Sequence, residues 1–329
     1  MKDRRISERP AVAILFLLLI AFGTTSLNAR AQTGDRVAVM TEMTGEVTLA
    51  RSGSSAFSGG NAFGTPLYAR DRIKTGVNSS ASLLYSNGDL LTIGANREVT
   101  ITSDTSGDAN DLVTNVDSDV SASAASLALH RSGNGEIAAM SGLRSGGDDT
   151  SIELIAPLNS AVRSFYPTFE WSSEMTFSTY RVRVFSASGV VWEGETDQTS
   201  LDYPSSAPKL DASIEYLWQV TGEDMLDEEK SAVAKIRVLS SARVGEIEQA
   251  ETDLSSLNGT QSTGNYRLLL GSLYAEAGLL DEAVDQFKSL ATQYPDSQLP
   301  FELLATVYTE MGRTDLAMNA LKMASSNQK

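Results

Sequence analysis

Few side chains in this sequence are of the types that carry out catalysis. The chain has 329 residues, no cysteine and a single histidine, His130. Histidine acts as a general acid or base only beside a reacting group and an orienting partner, whereas His130 stands in a stretch of serine, alanine and glycine. Structural zinc sites need thiols or paired imidazoles. We therefore predict a protein that is not an enzyme and that needs no cofactor.

Phosphate-binding and acyl-transfer motifs are also missing from the sequence. It has neither the Gly-x-Ser-x-Gly turn of a serine hydrolase nor the Gly-x-x-x-x-Gly-Lys-Ser/Thr loop that cradles phosphates. Carboxylates remain, and calcium prefers oxygen ligands. They cluster without the Asp-x-Asp-x-Asp-Gly spacing of a calcium loop, at Asp104, Asp108, Asp111, Asp117 and Asp119. We interpret the cluster as solvated and predict no metal site, with adventitious calcium binding as the alternative.

The net charge of the chain indicates which kinds of molecule it can bind. The formal net charge is -16 at pH 7. An acidic surface repels nucleic acid and anionic lipid, and it also keeps a protein soluble. We expect the partners to be other proteins or peptides, and no nucleic acid.

The N-terminus has the pattern of a secretory signal peptide. Basic residues within the first nine positions precede an apolar run from Ala11 to Phe22, and a polar stretch then ends in Ala29-Arg30-Ala31. A retained membrane anchor is the alternative, but a spanning helix needs about 20 apolar residues. We predict a signal peptide over 1–31, cleavage between Ala31 and Gln32, no membrane span after cleavage, and a periplasmic or secreted protein.

Residues 32–103 are predicted to form an all-β domain. From Val37 to Ala50 apolar and polar residues alternate around Gly45, which indicates a hairpin of two half-buried strands. Asn87-Gly88 between two further apolar runs is a strong hairpin signal, because both residues tolerate positive φ.

This region resembles the FecR domain over Val37 to about Ile101. The matching positions are Gly64, Leu67, Arg70-Asp71, Ile73, Thr75, Ser80 to Leu83, Asn87-Gly88-Asp89 and Leu91 to Ile93. Arg70 stands where the family usually has glycine, and Asn87-Gly88-Asp89 replaces its usual Asp-Gly-Ser turn. The resemblance implies a β-domain outside the cytoplasm. FecR regulators also hold a sigma factor through a cytoplasmic segment, and ten residues before the apolar run are too few for that. A signalling role through another membrane protein stays open as an alternative.

Residues 104–150 are predicted to be a connector rich in serine, aspartate and glycine. Within it, apolar residues recur at spacings of four and three, which indicates a weak helix over 111–130. These residues are Leu112, Val116, Val120, Ala124 and Leu127.

Residues 151–239 are predicted to form a β-sandwich. Six short alternating segments separated by turn residues fit an immunoglobulin-like or fibronectin-III-like module. The Pro-x-Phe-x-Trp at 167–171 and the Tyr-x-Trp-x-Val at 216–220 look like strands of exported fibronectin-III-like modules. Alternation places Trp171 and Trp218 in the core. A glycan-binding accessory protein, which would use those residues and Trp192, is a further alternative.

Residues 240–329 switch to a helical period, with one amphipathic helix expected from Val244 to Leu257. A pattern then repeats after 34 residues, the period of tetratricopeptide helix pairs, which this stretch resembles. The first copy has Leu270, Gly271, Tyr274, Gly278, Ala283, Phe287 and Pro295, and the second has Leu304, Ala305, Tyr308, Gly312, Ala317 and Leu321. We expect Asp281 and Asp315 to cap the second helix of each pair.

Tetratricopeptide pairs commonly bind peptides in a groove lined by their first helices. The predicted lining is Arg267, Leu270, Tyr274, Glu302 and Thr306. The alternative is that two repeats serve only for packing against the sandwich or for dimerisation. The sequence thus predicts a multidomain envelope protein: an all-β FecR-like domain, a β-sandwich and C-terminal all-α repeats, acting as an interaction scaffold or adaptor.

Overall fold

The computed structural model describes residues 36–103, 112–114, 118–129, 151–175, 177–223, 229–255 and 263–327. They belong to one compact unit. The predicted signal peptide with its cleavage site at Ala31 and Gln32, His130 and most of the aspartate cluster lie outside these residues. Within the described ranges no helix is both long and apolar enough to span a bilayer.

Two sheets make up the N-terminal region. Its strands are β1 (Arg36–Thr44), β2 (Val47–Ala50), β3 (Pro66–Tyr68), β4 (Arg72–Thr75), β5 (Ser80–Tyr85), β6 (Leu90–Ile93), β7 (Glu98–Thr100) and β8 (Leu112–Thr114). One sheet has the order β3-β1-β5-β6-β8 and the other β2-β4-β7. The predicted hairpin at Asn87-Gly88 is confirmed, because β5 and β6 pair antiparallel around Gly88, which has φ 91°. The predicted hairpin around Gly45 was wrong, because Gly45, with φ 72°, connects β1 and β2, which pair with other strands in two different sheets.

The larger of these sheets is buried on both faces. Met40, Leu83 and Ile93 point into the core of the N-terminal region, together with other alternate residues of β1, β5 and β6. Val39 and Leu84 point the other way and belong to a second apolar cluster, which contains the helices. The prediction of half-buried strands was wrong for β1, because the sequence does not show that helices cover its outer face.

Where the structure describes it, the stretch from 104 to 150 contains a strand and a helix, whereas the sequence predicts a connector. Leu112 lies in β8, which pairs with β6, and helix α1 spans Ser118–Leu129. A single helix over 111–130 was therefore wrong at its N-terminal end, since three residues extend the sheet instead. Val120 and Ala124 are buried, as the helical spacing indicates.

Residues 152–238 form two sheets around an aromatic core. The strands are β9 (Ile152–Ala156), β10 (Ser160–Val162), β11 (Thr168–Ser173), β12 (Tyr180–Ser186), β13 (Gly189–Thr196), β14 (Ser200–Asp202), β15 (Glu215–Glu223) and β16 (Glu229–Val238). Their orders are β10-β16-β15-β12-β13 and β14-β11-β9. Trp171 and Trp218 are buried, and Trp192 is half-buried against Phe169 and Tyr203. Two of the three tryptophans are thus closed to a glycan.

Five helices end the described chain. They are α2 (Ser241–Ser255), α3 (Thr263–Ala277), α4 (Leu280–Gln293), α5 (Leu299–Glu310) and α6 (Thr314–Ser326). Helix α3 is buried on nearly all sides, as expected of a central helix, because α1, α2, α4 and β1 all pack against it. The helical region therefore contacts the N-terminal sheets, and β10 also contacts α4.

Candidate interaction site around helix α3

The 34-residue repeat is present in the backbone hydrogen bonds. After α3, the N–H groups of Gly278, Leu279 and Ala283 donate to Ala275, Tyr274 and Leu279. After α5, Gly312, Arg313 and Ala317 donate to Thr309, Tyr308 and Arg313, each bond displaced by the repeat period. Gly278 and Gly312 have φ of 77° and 80°, a conformation that glycine adopts without strain. The two helix pairs are therefore built in the same way.

Helices α3 and α4 approach closely because Gly271 has no side chain. A Cβ at this position would lie 2.5 Å from Cε1 of Phe287, which is fully buried. Phe287 therefore fills the space that the missing side chain leaves between the two helices.

Helix α4 is capped by the sandwich and not by its own aspartate. Its N-cap residue, Leu279, makes no side-chain cap. The N–H of Leu280 instead donates to Oγ of Ser160, at 2.9 Å and 120 residues away. The prediction that Asp281 caps α4 was wrong, because Asp281 lies inside the first turn. Asp315 likewise lies within the first turn of α6, whose N-cap residue Arg313 has no side-chain cap.

The Asp281 carboxylate lies between the helices and the sandwich. It is hydrogen-bonded by Ser160 and by the backbone N–H of Leu158. Burial, reinforced by the neighbouring Glu282, nevertheless raises the pKa of Asp281 to about 6. Burial also raises the pKa of Glu282. Because burial disfavours the charged form of both carboxyl groups, we expect the stability of this contact to depend on pH.

An arginine of the sandwich joins three helices. Arg163 forms ion pairs with Glu251 of α2 and, at 3.7 Å, with Glu282 of α4. Its guanidinium stands 5.1 Å from the ring centroid of Tyr274, whose hydroxyl donates to Glu251 at 2.8 Å. Burial raises the pKa of Tyr274, so this hydroxyl stays a donor. The helices and the sandwich are therefore joined by polar groups.

The contact with the N-terminal region has a different chemistry. The rings of Phe63 and Tyr294 stack with centroids 4.4 Å apart and planes 9° from parallel. Oγ of Ser297 donates to the carbonyl of Phe63 at 2.5 Å, and a Cβ on Gly64 would lie 2.4 Å from Cβ of Leu299. Aromatic stacking and close backbone approach dominate this contact.

Helix α1 lies against the first helices of both pairs. It packs on α3 and α5, and on its other side contacts β1 and β5. Its buried residues join the apolar cluster of the helices and are Val120, Ala124, Ala125, Ala128 and Leu129. A segment of the chain itself therefore covers part of the face that the sequence assigns to a partner.

The five predicted groove residues do not form one open surface. Leu270 and Tyr274 are buried, and Tyr274 is held by Glu251 as described above. Nη1 of Arg267 donates to Gln286 of α4 at 3.2 Å, and Glu302 is half-buried. Thr306 is exposed, its hydroxyl donating to the carbonyl of Glu302. Of the five, only Thr306 is fully exposed, whereas Arg267 and Glu302 are half-buried.

Sequence reasoning missed the residues that join the modules. Ser160, Arg163 and Phe63 each contact a residue of the helical region more than 80 positions away, and short-range periodicity carries no information at that separation.

Among the residues that the structure describes, no group of three or more histidine, aspartate or glutamate side chains could hold a metal ion.

Comparison with known proteins supports the helical assignment. A family model of the tetratricopeptide repeat matches residues 266–297, which include most of α3 and all of α4. No curated protein matches the chain. A solved structure of a multi-domain immunophilin from Arabidopsis thaliana is 12% identical over 56% of this chain and 97% of its own, with a TM-score of 0.15, too low to carry an argument. Tetratricopeptide repeats are typically protein-interaction modules.

Proposed function

We propose that this protein is a non-enzymatic, exported scaffold of the cell envelope, whose helical repeats hold two β-modules together and bind other envelope proteins or peptides. The observation that carries the proposal is the position of α3 and α4. Helix α3 contacts the N-terminal sheet, and α4 receives its cap from the sandwich. A short repeat array placed at such a junction fixes the relative position of its neighbours.

The N-terminal region is proposed to be FecR-like. Two positions of that resemblance now have a physical reason. Arg70 has φ 72°, a conformation in which glycine is the favoured residue. Asp71 is fully buried and accepts hydrogen bonds from Arg51 and from the N–H groups of Ser52 and Tyr68. A signalling role stays a prediction, since no described feature bears on it.

The second β-module is proposed to be fibronectin-III-like or immunoglobulin-like. Its strand orders, three strands in one sheet and five in the other, support that assignment. So does the aromatic core, in which Phe169 stacks on Trp218 at 4.8 Å and Trp171 meets Tyr180 edge-on at 5.3 Å. Modules of this kind commonly serve as rigid spacers or binding surfaces.

Site-directed photo-crosslinking in the envelope fraction tests the proposal. A photoreactive residue replaces Thr306, the open position on α5, or Val190, which is 56% exposed on the sandwich. If the partner binds the repeats, we expect a discrete crosslinked partner from position 306 and none from position 190. Capture of the same proteins from both positions, or none from position 306, would contradict it. Sequencing the mature N-terminus tests export separately, with Gln32 as the expected first residue.

A further inference from the structure

Helix α1 occupies the face on which tetratricopeptide repeats hold their ligands. It contacts α3 and α5, the first helices of the two pairs, and its other side rests on β1 and β5. Ala124 and Ala125 are fully buried. The repeats therefore hold a helix already, and that helix shows which chemistry the face accepts.

The sequence of α1 is poorly suited to form a helix by itself. Its twelve residues, SDVSASAASLAL, include four serines and an aspartate, which have low helix propensity. Isolated helices shorter than about 12–15 residues are marginal in water even when rich in alanine. Helical structure in α1 consequently depends on its contacts with the sheet and the repeats.

The surface that α1 buries is small. The buried face is formed mainly by Ser121, Ala124, Ala125 and Ala128, and each alanine contributes far less apolar area than a leucine would. The adjoining contact between α3 and β1 also leaves a polar atom unsatisfied. Oδ1 of Asn265, in a side chain only 2% exposed, has no hydrogen-bond partner among the described residues. A buried acceptor without a donor costs about 1–3 kcal/mol.

Close contact with the sheet restricts what can replace α1. A Cβ on Gly88 would lie 2.8 Å from the backbone nitrogen of Ala122 and 3.0 Å from Oγ of Ser121. A helix with large side chains on that side would not fit. The buried side chains larger than alanine or serine are Val120 and Leu129, near the two ends of the helix.

We infer that α1 is an exchangeable occupant of the repeats, and that a partner helix with an alanine- and serine-lined face takes its place on α3 and α5. The inference rests on the proposed function, since it names the partner that the repeats would hold. The partner would carry small residues at positions i, i+3, i+4 and i+7, as α1 does from Ser121 to Ala128. While α1 is bound, it competes with that partner.

Hydrogen–deuterium exchange on the unmodified full chain gives the first test. Local opening of an exchangeable helix predicts that amides of α1 exchange at least about 100-fold faster than those of α3, after correction for intrinsic rates. Equal protection of α1 and α3 would overturn the inference, because α1 would then open only when the surrounding core unfolds.

Binding of a labelled synthetic peptide with the sequence of residues 118–129 gives the second test. Ala125→Glu places a charge on the buried face of α1 and should free the repeats, whereas Ser126→Glu changes the neighbouring exposed residue. We expect fluorescence anisotropy to show at least tenfold tighter peptide binding to the Ala125→Glu chain than to wild type or Ser126→Glu. A peptide that itself carries Ala125→Glu should not bind.

A second pair of variants keeps this test decisive if Ala125→Glu fails to fold. Gly88→Ala presses on the backbone of α1, while Gly60→Ala has a similar φ, 80° against 91°, and no atom within 4 Å. The peptide should bind Gly88→Ala more tightly than Gly60→Ala. Equal binding to both would overturn the inference. Capture of a partner from Thr306 together with unchanged peptide binding would reject exchange of α1 and leave the scaffold proposal standing.

Discussion

The helical repeats contact two β-regions through opposite kinds of chemistry. Toward the N-terminal sheets the contact is a stacked pair of rings, Phe63 and Tyr294, and a glycine pressed against Leu299. Toward the sandwich it consists of hydroxyl, carboxylate and guanidinium groups, centred on Ser160 and Arg163. The first contact should respond less to pH and salt than the second, because its stacked rings and its glycine contact carry no charge, although Asn265 also donates to Glu42 there at 3.4 Å.

The largest expected effect comes from breaking the aromatic contact. Phe63→Ala removes a side chain that is 4% exposed and stacked on Tyr294. Truncation of a buried phenylalanine costs about 3–5 kcal/mol, so the unfolding free energy measured by urea denaturation should fall by that amount. Phe57→Ala, at a half-buried position of the same region, should cost clearly less. Equal losses would mean that the stack does not join the modules.

Removal of the cap supplied by the sandwich should have the next largest effect. Ser160→Ala leaves the N–H of Leu280 without its acceptor in a buried setting. The loss of an N-cap costs about 0.5–2 kcal/mol, and we expect a value near the upper end. Thermal unfolding measures it, with Ser188→Ala in an exposed hairpin as the control. A change no larger than that of the control would show that α4 does not depend on Ser160.

The pH dependence of the sandwich contact should follow Asp281. Burial raises its pKa in the folded protein to about 6, above the ordinary aspartate value of 3.8, so folding favours the protonated form. This contribution is fully present below pH 4 and is lost as the pH rises through 6. Asp281→Asn cannot ionise, so its unfolding free energy should not show this loss. Relative to wild type, the unfolding free energy of the variant should therefore rise by about 1–2 kcal/mol between pH 4 and pH 7, after allowance for partial solvent screening. Parallel stability curves for the two proteins would contradict the assignment.

The smallest effect is expected at the rim of the same contact. Arg313 pairs with Glu153 of β9 at 2.6 Å, and the glutamate side chain is 55% exposed. Exposed ion pairs contribute about 0–1 kcal/mol, so Glu153→Gln should lower stability by less than about 1 kcal/mol at low salt. The difference should vanish in about 1 M salt. A loss that persists at high salt would show that Glu153 acts through something other than charge.

The sequence predicted what local periodicity encodes. Alternation predicted most of the strands, and the 34-residue period predicted the helix pairs. The sequence predicted six strands in 151–239 and missed β10 and β14, because strands of three residues are too short to show an alternation of their own. The sequence also assigned Tyr274 to an open groove, because it does not show that Arg163 and Glu251 contact this side chain in the folded protein.

The contacts between modules were beyond sequence reasoning for a physical reason. The cap that Ser160 supplies to α4 and the packing of α1 on the repeats both depend on segments that are far apart in the sequence. These segments meet only in the folded protein. The spacing of apolar residues placed the start of α1 too early, because Leu112 fits the helical spacing but pairs with β6 as a strand residue. Tertiary context overrides such weak preferences.

Hydrogen–deuterium exchange of two matched glycine variants tests most directly whether the repeats hold the β-modules together. Gly64→Ala and Gly60→Ala both place alanine at φ 80°, but a Cβ at position 64 would lie 2.4 Å from Leu299, whereas position 60 is open. The account predicts faster exchange in β1, α1 and α5 of Gly64→Ala alone, with β12 and β15 unchanged in both. Identical exchange in the two variants, or acceleration spread evenly over the chain, would contradict it.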